Sequence, residues 1–238
     1  MSIPHKNLGV RMMTQPDDNT CGPTSLHAVY NYHQLNLSLD EVINEVKYLQ
    51  NGGTLAVFLG INALNKNFNA TIYTFNLKMF DPTWMNLDSR GLRKKLKEQL
   101  AFKTGKKFKD VAHAYMEFLK NGGEIKTENL TPQLLYSFFE NKTPVLTGLS
   151  ATYLYQSKRE YANSKGQSIY DDLKGEPMGH FVVLMGQTDT GNILVADPYK
   201  GNPLGDNNYY EVEPTQLITS ILLGMITYDA NLLIITPK

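Results

Sequence analysis

The sequence predicts an α+β fold, and three observations support this prediction. Helical spacing of apolar residues dominates the chain before Pro144, whereas short apolar runs typical of strands dominate after it. Helices first and strands later favour α+β over an alternating α/β pattern. The 238 residues, 42% of them hydrophobic and 19% charged, are ordinary for a globular chain and allow a sizeable core. We therefore predict a single domain over residues 1–238, in which an N-terminal helical half packs on a C-terminal, mostly antiparallel sheet.

The first predicted helix begins near Cys21, after a short strand or extended lead-in over residues 8–14. Asn19 or Thr20 is a suitable N-cap, because a short polar side chain can accept a hydrogen bond from the first turn. Apolar residues then recur at helical spacing to about Leu35. The lone cysteine of the chain is therefore expected at the N-terminus of a helix.

Two further helices and a strand are predicted next. Ser38 opens a capping-box pattern for the second helix, and Gly52–Gly53 is expected to end it. Thr54 is the expected cap of the third helix, which extends to about Asn67. Alternation of apolar and polar residues over Ala70–Leu77 predicts a strand.

The segment Asp88–Lys120 differs in composition from the rest of the chain. It contains ten Lys and Arg residues against four Asp and Glu residues, a net charge of ten minus four, or +6. Two apolar stripes at helical spacing, divided at Thr104–Gly105, predict a basic helical hairpin inserted within the domain. A solvated helix face is the simplest explanation of the charge, and an anionic partner or substrate is the alternative.

The second half of the chain is predicted to form the sheet. A helix is expected over Thr131–Glu140 and a buried strand over Pro144–Leu149. Residues 151–178 look like a long exposed connection, which is more often functional than accidental. The remaining predicted elements are the strands Phe181–Met185, Asn192–Ala196, Tyr209–Val212 and Leu232–Thr236, with a helix over Pro214–Leu223 before the last strand.

Composition excludes several classes of protein. A net charge of zero argues against polyanion binding by the whole protein, so a nucleic-acid partner is not expected. A single cysteine excludes an internal disulfide and a multi-thiolate metal site, and we expect neither a metal nor an organic cofactor. Asp229 and Asn231 interrupt the most apolar stretch, Leu217–Thr236, and the N-terminus lacks an apolar secretory segment. We therefore expect a cytoplasmic protein without membrane contact; the oligomeric state is left open.

The lone cysteine is the most informative residue for function. A thiol attacks as the thiolate, and a helix N-terminus and a partner imidazole near Cys21 would both favour that form. His180, which leads a predicted strand, is the candidate imidazole. Asp197, just before Pro198, is the candidate carboxylate that orients it. The alternatives are a buried structural thiol, a strand-edge histidine and a turn aspartate.

Cleavage of an acyl group also requires donors for an oxyanion. The backbone N–H of Cys21 and the side-chain amide of Gln15 are suitable, because a neutral amide donates without quenching the nucleophile. A solvated polar group in a loop is the alternative for Gln15. Gly22 has no side chain and is expected to let a substrate approach the backbone closely.

These residues resemble a known family. The motifs QPDDNTCGPT, GHFVV and DP, in this order, resemble those of papain-like cysteine peptidases. The nearest branch looks like the bacteriocin-processing peptidases, which act on double-glycine leaders, and their free-standing relatives. The resemblance implies a papain-like fold with a peptide or amide substrate. It implies that Gln15 belongs to the oxyanion hole, that Cys21 and His180 form the catalytic pair, and that Asp197 orients the histidine.

On these grounds we predict a thiol-dependent hydrolase that cleaves a peptide or amide bond through a Cys21 thioester. Three alternatives stay open. The same site could transfer the acyl group to an amine, which would make the protein an acyltransferase or transpeptidase. The fold could also be a binding module without catalysis, or the Asp88–Lys120 hairpin could bind a polyanion.

Overall fold

The computed structural model describes residues 5–49, 52–163 and 168–238, which contain eight α-helices and ten β-strands. The helices are α1 (Cys21–Tyr32), α2 (Leu39–Glu45), α3 (Ala56–Asn65), α4 (Ser89–Gln99), α5 (Lys106–Lys120), α6 (Pro132–Glu140), α7 (Ala151–Leu154) and α8 (Pro214–Leu223). The strands are β1 (Lys6–Asn7), β2 (Phe68–Thr74), β3 (Glu124–Lys126), β4 (Val145–Ser150), β5 (Glu160–Ala162), β6 (Ser168–Tyr170), β7 (Gly179–Gln187), β8 (Ile193–Ala196), β9 (Tyr209–Val212) and β10 (Asn231–Pro237). None of these helices is long and apolar enough to cross a membrane.

Eight of the strands form one large sheet. Seven of them follow the order β3-β2-β10-β4-β7-β8-β9, and β1 pairs with the end of β7. Every neighbouring pair is antiparallel except β2 and β3. β5 and β6 form a separate two-stranded hairpin. The mixed α+β architecture with a mostly antiparallel sheet agrees with the sequence prediction.

Both faces of the sheet are covered by helices. Along β7, Phe181 and Val183 belong to a core shared with α1, α3 and α5, whereas Val182 and Leu184 belong to a core shared with α6 and α8. Successive side chains of a strand point to opposite faces, so β7 is buried on both. The expected division into a helical half and a sheet half therefore holds only in part. β2 from the first half lies within the sheet, and the later helices cover its second face.

The first helices begin as predicted, but their caps and ends differ. Ser38 makes the predicted capping box at α2. That helix ends at Glu45, earlier than expected. Thr54 does not cap α3, because its hydroxyl donates to the Lys47 carbonyl at 2.8 Å. The first N–H of α3 is bound instead by the carboxylate of Asp229 at 2.9 Å, from a residue 173 positions away.

The two segments with unusual composition have defined structure. The predicted hairpin over Asp88–Lys120 is present as α4 and α5, which pack against each other, and Asp88 caps α4. The prediction of an exposed connection over residues 151–178 is wrong for its first part. α7 follows β4 directly, and Leu154 is fully buried. The sequence did not predict this helix because a single helical turn is too short to give a detectable period. Within that segment, residues 164–167 lie outside the described residues.

The first turn of α1 approaches β7 closely. In the buried interface, the hydroxyl of Ser25 donates to the backbone carbonyl of Phe181 at 3.1 Å. Gly22 is also buried: a Cβ there would lie 2.3 Å from Thr54 Cγ2 and 3.2 Å from a ring carbon of Phe181. The expectation that Gly22 leaves room for a substrate is therefore corrected, since the methyl group of Thr54 fills that room.

This contact gives a prediction for stability. Replacing Gly22→Ala should lower the free energy of unfolding by about 1–3 kcal/mol, because the added methyl group overlaps Thr54. Thr54→Ser removes the overlapping Cγ2 and keeps the hydroxyl that bonds Lys47. The double variant should therefore recover much of the loss in urea denaturation. A Gly22→Ala protein as stable as the wild type, or a double variant without recovery, would contradict the packing described.

Candidate active site

Cys21 is the first residue of α1 and is half-buried. The first-turn N–H groups of a helix have no acceptor within the helix, and with the helix dipole they favour a negative charge. Of the two predicted N-cap residues, Asn19 and Thr20, the structure has Thr20 at this position. Its side chain makes no capping hydrogen bond. Its hydroxyl donates to the Asp17 carbonyl at 3.0 Å instead. The capping side chain therefore does not compete for the first-turn N–H groups beside the sulfur.

His180 lies at the start of β7 and interacts with both Asp197 and Cys21. Its Nε2 is 2.8 Å from Asp197 Oδ1. The register of the sheet explains this contact, because Val183 pairs with Ala196 and Asp197 follows directly. A hydrogen bond with the Cys21 side chain and attraction to its thiolate act on the same imidazole. Since Nε2 faces the carboxylate, Nδ1 is the ring nitrogen left for the sulfur.

The carboxylate of Asp197 has no exposed surface and accepts four hydrogen bonds. Oδ1 accepts from His180 Nε2 and from the backbone N–H of Tyr199, each at 2.8 Å. Oδ2 accepts from the hydroxyls of Tyr155 and Tyr210, each at 2.6 Å. Every lone-pair direction of the carboxylate therefore has a donor, which is what a buried charge requires.

The charges of the pair are set by competing effects. Burial would lower the pKa of His180, but attraction to Asp197 and the hydrogen bonds with Asp197 and Cys21 outweigh it and raise that pKa. Burial would raise the pKa of Asp197, but attraction to His180 and the hydrogen bonds from His180, Tyr155 and Tyr210 lower it. Burial, then the charge of Asp197, raise the pKa of both tyrosines, which keeps their hydroxyl protons available as donors. The arrangement favours imidazolium beside carboxylate.

Gln15 lies next to this group through its backbone. Its N–H donates to the carbonyl of Pro198 at 2.9 Å, which joins the loop before α1 to the turn after β8. The side-chain Nε2 donates to the Asp17 carbonyl at 2.9 Å, and Oε1 is buried without a partner. One amide hydrogen of Gln15 is therefore engaged within its own loop, and no described group accepts the second.

The loop before α1 is held by Asp17. Its carboxylate accepts the N–H of Asn19 at 2.8 Å, and its carbonyl accepts from both Gln15 and Thr20. Side chains of Asp that bond backbone groups two residues on are typical of tight turns. The turn fixes the entry into α1 and therefore the direction of the Cys21 side chain.

Three of the four residues nominated from the sequence come together directly. Cys21, His180 and Asp197 form one connected series, although α1 and β7 are separated by most of the chain. Gln15 is attached to the same region by its backbone bond to Pro198, and no described hydrogen bond joins its side chain to Cys21.

Tyr155 and Tyr210 were not predicted from the sequence as neighbours of Asp197. For Tyr210 a signal existed: β8 and β9 pair antiparallel with Val195 opposite Tyr210, so a hairpin register brings this tyrosine beside Asp197. Tyr155 follows the single turn of α7 and has no local signal that connects it to Asp197, 42 residues away.

The other histidines of this region serve packing. The Nε2 of His27 is 3.0 Å from the Leu37 carbonyl, and that of His33 is 3.0 Å from the Ile235 carbonyl. Among the residues that the structure describes, no group of three or more His, Cys, Asp or Glu side chains could hold a metal ion.

An α+β fold in which a helix-terminal cysteine, a histidine and a buried carboxylate meet has the parts of a cysteine-peptidase site. The match to a family sequence model agrees with this class. The chain belongs to the Peptidase_C39 like family, whose sequence model matches residues 7–216. A crystal structure described provisionally as a C39-like peptidase from Bacillus anthracis is 14% identical, with 99% of each chain covered and a TM-score of 0.47. No curated protein matches the sequence.

The pair of His180 and Asp197 predicts a dependence of stability on pH. A lowered Asp pKa stabilises the fold above the unfolded value, near 3.9, and a raised His pKa stabilises it below the unfolded value, near 6.5. The stability lost in Asp197→Asn should therefore be largest between these values. It should shrink by about 1 kcal/mol or more as the pH rises from 6 to 9.5, past the unfolded pKa of His180 and toward its folded pKa of about 10.

Urea denaturation of both proteins at pH 6 and pH 9.5 measures this difference. Asp171→Asn is the matched control, because Asp171 is a carboxylate with a lowered pKa that accepts backbone N–H groups of Leu173 and Lys174. Its effect should be the same at both pH values. A loss in Asp197→Asn that is constant or grows toward pH 9.5 would show that the imidazolium does not contribute.

Proposed function

We propose that the protein is a thiol-dependent hydrolase that cleaves a peptide or amide bond through a thioester on Cys21. The observation that supports the proposal is the connected series Cys21–His180–Asp197 at the N-terminus of α1. Membership of a C39-like peptidase family supports the coarser class of cysteine peptidase. The roles of the individual residues are part of the proposal.

In the first half of the proposed reaction the acyl group moves to sulfur. Cys21 gives its proton to Nδ1 of His180, and the thiolate attacks the carbonyl carbon to form a tetrahedral oxyanion. The oxyanion collapses, the C–N bond breaks, and the imidazolium delivers its proton to the departing amine. Asp197 stays ionised and stabilises the imidazolium between these two proton transfers.

In the second half, water replaces the amine. The neutral imidazole of His180 accepts a proton from the attacking water, and a second tetrahedral oxyanion forms on the thioester carbon. Its collapse breaks the C–S bond, and His180 returns the proton to the sulfur. The products are a carboxylic acid and the free Cys21 thiol.

The proposed oxyanion donors are the backbone N–H of Cys21 and the free amide hydrogen of Gln15. The first belongs to the uncapped first turn of α1, where N–H groups have no helical acceptor. The second is available because Asp17 engages only one hydrogen of the Gln15 amide. A neutral pair of donors stabilises the oxyanion without neutralising the attacking sulfur.

Thiol reactivity tests the nucleophile without knowledge of the substrate. Cys21 of the native protein should react with iodoacetamide at pH 5.5 at least about tenfold faster than in the urea-unfolded protein, because the imidazolium stabilises the thiolate. His180→Ala is the matched variant, which keeps the thiol and removes its partner. It should lose the advantage at pH 5.5 and still react at pH 9. A native rate equal to the unfolded rate would favour a binding module with an inert thiol.

Turnover tests the reaction itself. A library of peptides is incubated with the protein, and products are identified by mass spectrometry. Cys21→Ala and Cys21→Ser should fold normally and lose at least about a thousandfold in rate, and Gln15→Ala should lose on the order of a hundredfold. Unchanged activity in either cysteine variant would end the proposal.

The fate of the thioester separates hydrolysis from acyl transfer. The same library is incubated with and without an added amine acceptor. Hydrolysis predicts free acids in both samples and an unchanged rate of substrate loss. Faster conversion to a new amide in the presence of the amine would identify the protein as a transferase with the same site.

A further inference from the structure

Two tyrosine hydroxyls meet on the carboxylate that partners His180. Tyr155, at the C-terminus of α7, and Tyr210, in β9, each donate to Asp197 Oδ2 at 2.6 Å. We propose that Tyr155 and Tyr210 are positioning residues that hold Asp197 against His180 and thereby set the pH range over which Cys21 is reactive. This inference rests on the proposed function, because it assigns the control of that site.

The division of contacts between the two oxygens supports this role. Oδ2 is bound by the two tyrosines, and Oδ1 is bound by His180 and by the backbone N–H of Tyr199. A carboxylate that is bound at one oxygen only can turn about its Cβ–Cγ bond. Two donors on Oδ2, from two different elements, fix the plane of the group and keep Oδ1 facing the imidazole.

The chemical type of the donors also supports it. A lysine or arginine on Oδ2 would neutralise the carboxylate and weaken its attraction to the imidazolium. A tyrosine hydroxyl donates a hydrogen bond without adding charge. The raised pKa of both tyrosines means that the hydroxyls remain protonated at the pH values at which cysteine nucleophiles work. Asp197 is therefore held firmly while its full charge remains available to His180.

Tyr155 further connects the site to the segment after β4. Its ring centroid lies 6.1 Å from that of His180 and 6.3 Å from that of Tyr199. It is half-buried, whereas Tyr210 is 7% exposed. Tyr155 therefore contacts the carboxylate from the segment after β4, and Tyr210 supports it from within the sheet.

The test is the pH profile of Cys21 alkylation by iodoacetamide in Tyr155→Phe, Tyr210→Phe and the double variant. Phenylalanine keeps the ring and removes only the donor. A loosened Asp197 stabilises the imidazolium less, so the Cys21 thiolate beside it should form only at higher pH. The acid limb of the profile should move to higher pH by about half a pH unit in the single variants, which is about threefold in rate on that limb. The shift should be larger in the double variant.

Two controls separate positioning from general destabilisation. Tyr136→Phe removes a half-buried hydroxyl that donates to the Gly191 carbonyl at 2.8 Å, and should leave the acid limb in place. In an Asp197→Asn background, removal of the tyrosine hydroxyls should cause no further shift, because the charge that they position is gone. An unmoved acid limb in the double variant, an equal shift in Tyr136→Phe, or an undiminished shift in the Asp197→Asn background would each overturn the proposal.

The imidazole itself gives a readout that does not depend on the thiol. The pKa of His180, followed by NMR of its labelled ring, should be lower in the double variant than in the wild type by at least about half a unit. If Cys21 proves unreactive but this shift is present, the hydrolase proposal fails and the positioning role stands. If alkylation and turnover behave as proposed but the pKa of His180 is unchanged, the tyrosines are not positioning residues.

Discussion

A carboxylate with no exposed surface constrains this structure more than any other group. An ionised side chain in a protein interior costs several kcal/mol unless charge and hydrogen bonds replace its water. Asp197 meets that requirement with His180, two tyrosine hydroxyls and a backbone N–H. Its own backbone N–H and carbonyl are bound to Asn208. β7, β8, β9 and α7 must therefore all reach one point at the same end of the sheet.

Cys21 is brought to that point by a second set of contacts. The first turn of α1 lies against β7 because Gly22 permits a close approach and Ser25 bonds the Phe181 carbonyl. Phe181 directly follows His180, so these contacts set the position of the sulfur relative to the imidazole. Gln15 adds a third connection through Pro198. The segment around Cys21 is joined to β7 and to the turn after β8 by packing and hydrogen bonds. These contacts lie within a few residues of Cys21, His180 and Asp197.

Local signals were sufficient for much of the fold and part of the site. The helix start at Cys21, the capping box at Ser38, the basic hairpin and the strands around His180 and Asp197 all follow from periodicity and turn chemistry over short stretches. The motifs identified Cys21, His180 and Asp197 because a thiol, an imidazole and a carboxylate are the residue types that nucleophilic catalysis by cysteine requires.

Contacts between distant residues explain what the sequence did not reveal. Threonine is a common N-cap residue, but the hydroxyl of Thr54 bonds the Lys47 carbonyl. The first N–H of α3 is bound by Asp229 instead. Tyr155 supports Asp197 across 42 residues and follows a helix of one turn. In each case the partner is selected by tertiary packing, and no local pattern records it. The helices α6 and α8 were predicted, but their position on the second face of the sheet was not, for the same reason.

Asp197 and Asp229 show that the donors, more than burial, decide the charge of a carboxylate in this protein. Both are buried, yet their pKa values move in opposite directions. Burial raises the pKa of Asp229 to about 7, because the N–H of Ala56, the charge of Lys107 and Asn231 offset it only in part. Asp197 has an imidazolium and two hydroxyls in addition to a backbone donor, and its pKa is lowered.

The difference follows from what each group must do. Asp229 binds one N–H at the start of α3, which a neutral carboxyl oxygen can also accept. Asp197 can stabilise an imidazolium only while it is ionised, so it needs enough donors to outweigh its desolvation. The number of hydrogen-bond donors therefore distinguishes the two carboxylates. Asp197 has enough donors to stay ionised beside an imidazolium, whereas Asp229 only binds the start of a helix.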